Sequence, residues 1–248
     1  MMLNLEFPID DIKLARVTNL ILEHRRPAGK DWWWPLNELN GKPTDKKTAN
    51  KFLLCNILDW QMNSAKVLEN SKRFSLDVLH DPEDLWDTIL KYSEEEWMTK
   101  YSEFRLHWLH AAHNRVWRIG RNIVKYYDGD ARKIWEGKSP GVTIDILNKL
   151  GVGENISRMC VGALIDTNQI KGNGDVKADV HLKRVLGRVV KGEPISESEV
   201  IEITRKMYPE NPWLLDREFW MIGKELCHPN NPKCFECYLK PECLHSKN

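Results

Sequence analysis

The sequence predicts an all-α protein, and three observations carry this. Apolar residues recur at helical spacing in separate stretches from Ile9 to Ile222. Proline- and glycine-containing breaks fall between those stretches. Helix-start signals precede several of them: Asp45, Asp179, and Ser196 with Glu199 three residues on. The 248 residues suffice for one large domain or two small ones.

In chain order, Ile9, Ile12, Val17, Leu20 and Ile21 form a loose stripe over residues 9–25. Pro27, Gly29 and Pro35 break the pattern around Trp32, Trp33 and Trp34. That run reads as a lid over the core, because tryptophan buries much area; the alternative is a surface on which bases stack. After Asn40-Gly41-Lys42-Pro43, with Thr44 or Asp45 as cap, residues 46–69 read as one helix. Leu54, Ile57, Leu58, Ala65 and Leu68 share its face, and Gln61 falls on the same face. Either the helix ends near Asp59 and Gln61 is exposed, or Gln61 points into a polar cleft, since a buried amide needs partners.

Residues 74–99 read as two short helices split at His80-Asp81-Pro82, with Asp81 and Pro82 as start signals. Residues 101–127 read as the longest helix, with Phe104, Trp108, Ala112, Val116, Ile119 and Ile123 in period. His107, His110 and His113 recur every third residue. Helical zinc ligands prefer i, i+4 spacing, so they read as a polar flank facing a groove.

Next comes a helical hairpin. Val142, Ile146, Leu147 and Leu150 form one helix and Ile156, Met159, Cys160, Ala163 and Leu164 the next, with Gly151-Val152-Gly153 between them. Two glycines let the backbone turn at positive φ. The following helix then starts with unpaired N–H groups and the positive end of its dipole, a seat for a phosphate. Beyond the loop Lys171–Gly174, Asp179 caps a helix whose face holds Leu182, Val185, Leu186, Val189 and Val190. A helix over 196–207 and another over 213–226 complete the pattern.

Formal net charge is +1, which argues neither for nor against a nucleic-acid partner. Its distribution is uneven: residues 77–103 are acidic, whereas 105–138 and 171–191 are basic. The start lacks a basic flank and an apolar run, and no stretch approaches the ~20 apolar residues of a membrane span. The expectation is an intracellular chain, in cytoplasm or nucleoid or in a nucleus, with reduced thiols and no membrane partner.

Four of the six cysteines lie in the tail, as C-x6-C-x2-C-x5-C: Cys227, Cys234, Cys237 and Cys243. The tail has too little apolar surface to fold unaided. Zinc sites usually pair two short cysteine knuckles, and only one is present. An iron–sulfur cluster also takes four thiolates and tolerates irregular spacing. Spacing alone leaves cluster against zinc open. Cys55 and Cys160 fit packing positions.

Here the chain resembles the endonuclease III branch of the helix-hairpin-helix DNA glycosylases. The cysteine spacing matches that family's C-terminal [4Fe–4S] loop. Leu150-Gly151-Val152-Gly153 matches its phosphate-binding hairpin. Ala178-Asp179-Val180-His181, with Arg184-Val185 after it, matches the segment holding its essential aspartate. Gly223, four residues before Cys227, matches its last helix, and the stretch around Gln61 resembles the segment whose glutamine enters the DNA stack.

The resemblance implies a two-lobed fold: a six-helix lobe over 41–170 with the hairpin at 143–166, and a cluster lobe over 171–248 with the cluster loop at 227–243. Residues 1–40 would pack on the cluster lobe. It implies a monomer acting on double-stranded DNA with a lesion or mismatch, with Asp179 and His181 facing a cleft. Bifunctional members carry a lysine where this chain has Asn155, and an asparagine cannot form a Schiff base. Lys149, Lys171 and Lys177 lack that placement. The expectation is therefore a glycosylase that flips a base and hydrolyses its N-glycosidic bond without an efficient lyase step. The adenine-removing branch adds a glutamate where this chain has Ile57. The competing reading is a catalytically inactive iron–sulfur protein that binds damaged or structured DNA.

Overall fold

The computed structural model describes residues 10–25, 33–39 and 45–247. Ile9, Trp32 and the break at residues 40–44 lie outside them. All regular elements among the described residues are helical. The chain divides into two compact units: Met1–Pro27 with Asn173–Asn248, and Ala28–Gly172.

In the first unit, α1 (Asp11–Glu23) starts at Asp10, whose Oδ1 accepts from the Ile12 amide at 2.9 Å. It buries Leu14, Val17, Thr18 and Ile21. Ile12, expected on that stripe, is 68% exposed. At about 100° per residue it lies about 200° around the helix from Leu14.

The second unit begins its helices with α2 (Lys46–Leu58), capped by Asp45. The single helix expected over 46–69 is broken: α2 ends at Leu58 and α3 (Ser64–Arg73) restarts from the Asn63 cap. Gln61, at φ 53°, turns the chain between them, and Ala65 is exposed at the start of the new helix. Residues 33–39 group with this unit rather than with the cysteine-bearing one. Trp34 is buried among them, as a lid would be, and Lys72 pairs with Glu38 at 2.8 Å.

A π-helical turn (Phe74–Val78) follows, then α4 (Leu85–Ile89) and α5 (Glu94–Thr99). The expected start at Asp81-Pro82 is displaced. His80 and Asp81 both take positive φ, and the Asp81 carboxylate pairs with Lys47 and Lys51 instead of capping. These lysines hold it below the usual carboxylate range.

The expected long helix is also two: α6 (Tyr101–Phe104) and α7 (His110–Tyr127), parted at Arg105, φ 47°. Trp108 lies in the break and is 64% exposed, not on a core stripe. Two of the three spaced histidines are core groups rather than a polar flank. His113 is fully buried, stacked on Trp97 at 4.5 Å, and burial pushes it down to about 4. The His107 Nδ1 accepts from the Leu109 amide at 2.9 Å, so its Nε2–H donates to the Trp60 carbonyl at 2.7 Å. Only His110 of the three is exposed.

The unit ends with α8 (Arg132–Trp135), α9 (Pro140–Lys149) and α10 (Glu154–Asp166). Val142, expected on the buried stripe of α9, is exposed; Thr143 takes that place. Burial pushes the Cys55 thiol up to about 12 and raises that of Cys160 too, so both stay protonated packing groups.

Returning to the first unit, α11 (Val180–Val190), α12 (Glu197–Met207) and α13 (Asp216–Glu225) pack with α1. Leu182, Val185, Leu186, Val189, Phe219 and Ile222 fill the shared core with Leu14, Val17 and Ile21. The Ser196–Glu199 capping box is formed. Among the described residues no helix is long and apolar enough to cross a membrane.

Candidate nucleic-acid interface and cysteine pocket

The hairpin between α9 and α10 folds as its glycines require. Gly151 has φ 94° and Gly153 φ 82°, conformations that other residues adopt only with strain. The Gly151 and Val152 amides turn back to the Asn148 and Leu147 carbonyls, at 2.9 and 3.0 Å. Val152 is buried and anchors the turn, while Gly151 and Gly153 are exposed. Gly153 is the N-cap of α10 and has no side chain to cap with. The helix therefore presents first-turn N–H groups and its positive dipole end at an open glycine turn. Asn155 lies in that first turn, half-buried.

Two features of this turn escaped the sequence. Arg115, on α7, donates from Nε to the Gly151 carbonyl at 2.9 Å, and its guanidinium lies over the Trp60 ring at 5.3 Å. Next to Trp60, Gln61 is exposed, and its carbonyl accepts from the Trp108 indole N–H at 3.0 Å. Gln61 thus sits at a tight turn outside any helix, the first of its two expected settings.

In the other unit, Asp179 is the N-cap of α11. Its Oδ1 accepts from the His181 amide at 2.8 Å and the Leu182 amide at 3.1 Å, which fixes the carboxylate's rotamer. The side chain is half-buried, not lost in the core. The His181 Nδ1 accepts from Arg184 Nη2 at 3.1 Å, so the ring carries its proton on Nε2. Arg184 also donates to the Cys227 carbonyl at 2.7 Å and the Gly223 carbonyl at 2.8 Å. One turn on, Arg188 Nη1 donates to the His228 carbonyl at 2.7 Å and to the Cys227 Sγ at 3.3 Å, while Nη2 reaches the Pro229 carbonyl at 2.9 Å. The helix that Asp179 starts is therefore the one that clamps the cysteine tail. Arg188 carried no signal in the sequence.

Cys227, Cys234, Cys237 and Cys243 line one pocket, with Val185, Arg188, Val189, Ile222 and Leu239 among its walls. Burial first, and the neighbouring thiols after it, push Cys237 up to about 11. Among the described residues, no three Cys, His, Asp or Glu side chains converge as ligands of a single metal ion. The four thiols stand together at one pocket, a donor set that suits either an iron–sulfur cluster or a zinc ion.

No family model matches the sequence. Endonuclease III of Thermotoga maritima is 24% identical over 163 residues, covering 65% of this chain and 63% of that protein. Endonuclease III-like protein 1 of Gallus gallus is 26% identical over 137 residues, covering 53% of this chain and 46% of that one. The match thus spans less than two thirds of either relative. Among solved structures, a trapped endonuclease III–DNA covalent intermediate and a non-covalent endonuclease III–DNA complex each superpose with TM-score 0.65 over 97% of this chain and 98% of theirs, at 14% and 15% identity. A thermostable thymine-DNA glycosylase gives TM-score 0.62 over 96% of this chain and 98% of its own, at 17% identity.

In sequence and in fold the chain is similar to endonuclease III-like proteins of the helix-hairpin-helix DNA glycosylases. The all-helical fold is the one these solved structures share.

Proposed function

We propose that the protein is a monofunctional DNA glycosylase, excising a damaged or mismatched base by hydrolysis of its N-glycosidic bond. The observation that carries this is Asp179: a half-buried carboxylate whose Oδ1 is held by two helix-start amides while Oδ2 stays outside the cap. Breaking the bond builds positive charge on the sugar. Asp179 stabilises that charge or takes a proton from the attacking water. The hairpin of Gly151, Val152 and Gly153 holds a backbone phosphate, Gln61 enters the stack vacated by the base, and His181 lines the DNA side of the α11 start. Asn155 brings no amine, so water is the nucleophile. The partner is duplex DNA, and the protein acts as a monomer.

Cys227, Cys234, Cys237 and Cys243 would hold a [4Fe–4S] cluster, with Arg188 beside the Cys227 sulfur offsetting its charge. The match of the cysteine spacing to the family's cluster loop favours the cluster over zinc. When bound, such a cluster closes the tail and adds no step to base removal. Iron analysis and absorbance near 400 nm distinguish it from zinc.

The test is release of free base from a panel of lesion duplexes, with Asp179→Asn alongside. Asparagine caps a helix as well as aspartate, so the fold should survive. Excision should fall at least ~100-fold, the low end of a positioned acid–base group's contribution. Full activity in Asp179→Asn would refute the mechanism. Borohydride should trap no efficient adduct on abasic-site DNA; a strong adduct would show a lyase amine elsewhere. Tight binding of damaged DNA with no base released by wild type would leave the inactive, DNA-binding reading.

A further inference from the structure

The hairpin has a cation built into it that the phosphate seat does not require. We propose that Arg115 is a second ligand of the phosphate held by the hairpin, through its two terminal NH2 groups; this rests on the DNA-binding reading above.

Arg115 is anchored at three points. Its Nε–H is spent on the Gly151 carbonyl at 2.9 Å. Its plane lies against Trp60 at 5.3 Å. Trp60 is itself fixed, because His107 hydrogen-bonds its carbonyl at 2.7 Å and stacks on its ring at 6.5 Å. The third point is Gly153: a Cβ there would lie 3.0 Å from Arg115 Nη2, so the missing side chain is what lets that nitrogen sit at the cap of α10.

The charge at that spot is otherwise uncompensated. Nearby arginines have carboxylates: Arg118 pairs with Glu94 at 3.0 Å, and Arg158 pairs with Glu154. No carboxylate pairs with Arg115 among the described residues, and burial alone perturbs it, lowering its proton affinity. A cation at a helix N-terminus is also set against the dipole, whose positive end faces it. Both unfavourable terms change sign when an anion sits between them. A phosphate oxygen seated on the amides of Gly153 and Glu154 would meet Nη2 from the side, and the planar fork suits phosphate better than a point charge would.

The experiment uses the full chain and a duplex carrying an abasic-site analogue, with affinity measured across a salt series. For wild type, log K should fall steeply with log salt. Arg115→Gln should bind at least ~10-fold more weakly, and its slope should shrink by about 0.9, the loss of one phosphate contact. Arg115→Lys should retain most of the slope but not the affinity, since it keeps the charge and loses the fork. An unchanged slope in Arg115→Gln would mean the residue only props up the turn, and would overturn the proposal. Wild type that shows no salt-dependent binding would instead sink the DNA-binding reading and this proposal with it. A second measurement needs no variant: phenylglyoxal labelling of Arg115 in wild type, read by mass spectrometry. DNA should protect the residue, and equal labelling with and without duplex overturns the proposal.

Discussion

Gly223 and His181 show how closely the Asp179 end of α11 is fitted to α13. A Cβ at Gly223 would lie 2.6 Å from His181 Cβ and 2.8 Å from Nδ1, the atom that accepts from Arg184. Gly223→Ala should therefore push the imidazole aside and break that hydrogen bond. Overpacking of this kind costs about 1–3 kcal/mol. In a chain of this size each kcal/mol lowers Tm by about 2–4 °C. The obstruction is a side chain from its Cβ outward, so His181→Gly in the same molecule should recover part of the loss. At Gly187 a Cβ would meet the Glu193 carbonyl oxygen at 2.3 Å, and backbone cannot rotate away. Thermal melts should rank Gly187→Ala below Gly223→Ala, with His181→Gly rescuing only the latter; simple additivity of Gly223→Ala and His181→Gly would contradict this packing account. The glycine before Cys227 was visible in the sequence as a position. Its reason was not, because the ring it accommodates belongs to a helix far back in the chain.

Turns made by glycine and caps made by serine or aspartate were legible, because each residue type carries its own local geometry. The hairpin helices, the Ser196–Glu199 box and the Asp179 cap all fell where the residues placed them. The misread breaks share one cause. Gln61, His80, Asp81 and Arg105 take positive φ without being glycine, so the apolar period ran on through the bends at Asp59–Asn63 and Arg105–Leu109. Long-range partners such as Arg115 on Gly151 are illegible for a different reason: an arginine on a basic helix looks the same whether solvated or spent. Two of the three spaced histidines, His107 and His113, were misread because burial, not spacing, decides what an imidazole does. That burial has a pH consequence. The fold holds His113 down at about 4 against an ordinary 6.5, so it favours the neutral ring. Its contribution is fully present above about pH 6.5 and is lost as pH falls toward 4, because the unfolded chain then binds the proton first. The loss should reach roughly 3 kcal/mol at pH 4. His113→Phe keeps a ring against Trp97 and should flatten the acid side of a Tm–pH profile. The slope that remains belongs in part to His107, lowered by burial too. Parallel profiles for wild type and His113→Phe would show that the acid sensitivity arises elsewhere.

The two compact units differ in how the chain makes them. Residues 28–172 form one continuous unit with its own core, built on Phe52, Leu54, Trp86, Trp97, Ile119 and Trp135. The other joins both ends of the chain, and its tail belongs to the core: Leu239 is buried, and Cys227, Cys237 and Cys243 pack against the same cluster as Val185 and Ile222. The N-terminal helix is stitched to that tail and to the helix beneath it. Arg16 meets Glu242 through two hydrogen bonds of 2.8 and 3.0 Å, Lys13 Nζ donates to the Val189 carbonyl at 2.7 Å, and the His24 ring stacks on Tyr238 at 4.1 Å. Whatever ties the four thiols together thus closes the loop that holds α1. Removing it, by chelation under reducing conditions or by Cys234→Ser with Cys237→Ser, should loosen this unit as a whole. Hydrogen exchange read by mass spectrometry should show α1, α11 and α13 losing protection together, while α2, α7 and α10 keep theirs. The response of α1 is the diagnostic part, since it contains no cysteine and lies at the opposite end of the sequence from the tail. If α1 stays protected while the tail frays, the tail is an appendage rather than a core element. If every helix opens at once, the two units are a single cooperative structure, and the thiol site supports the whole fold rather than one half of it.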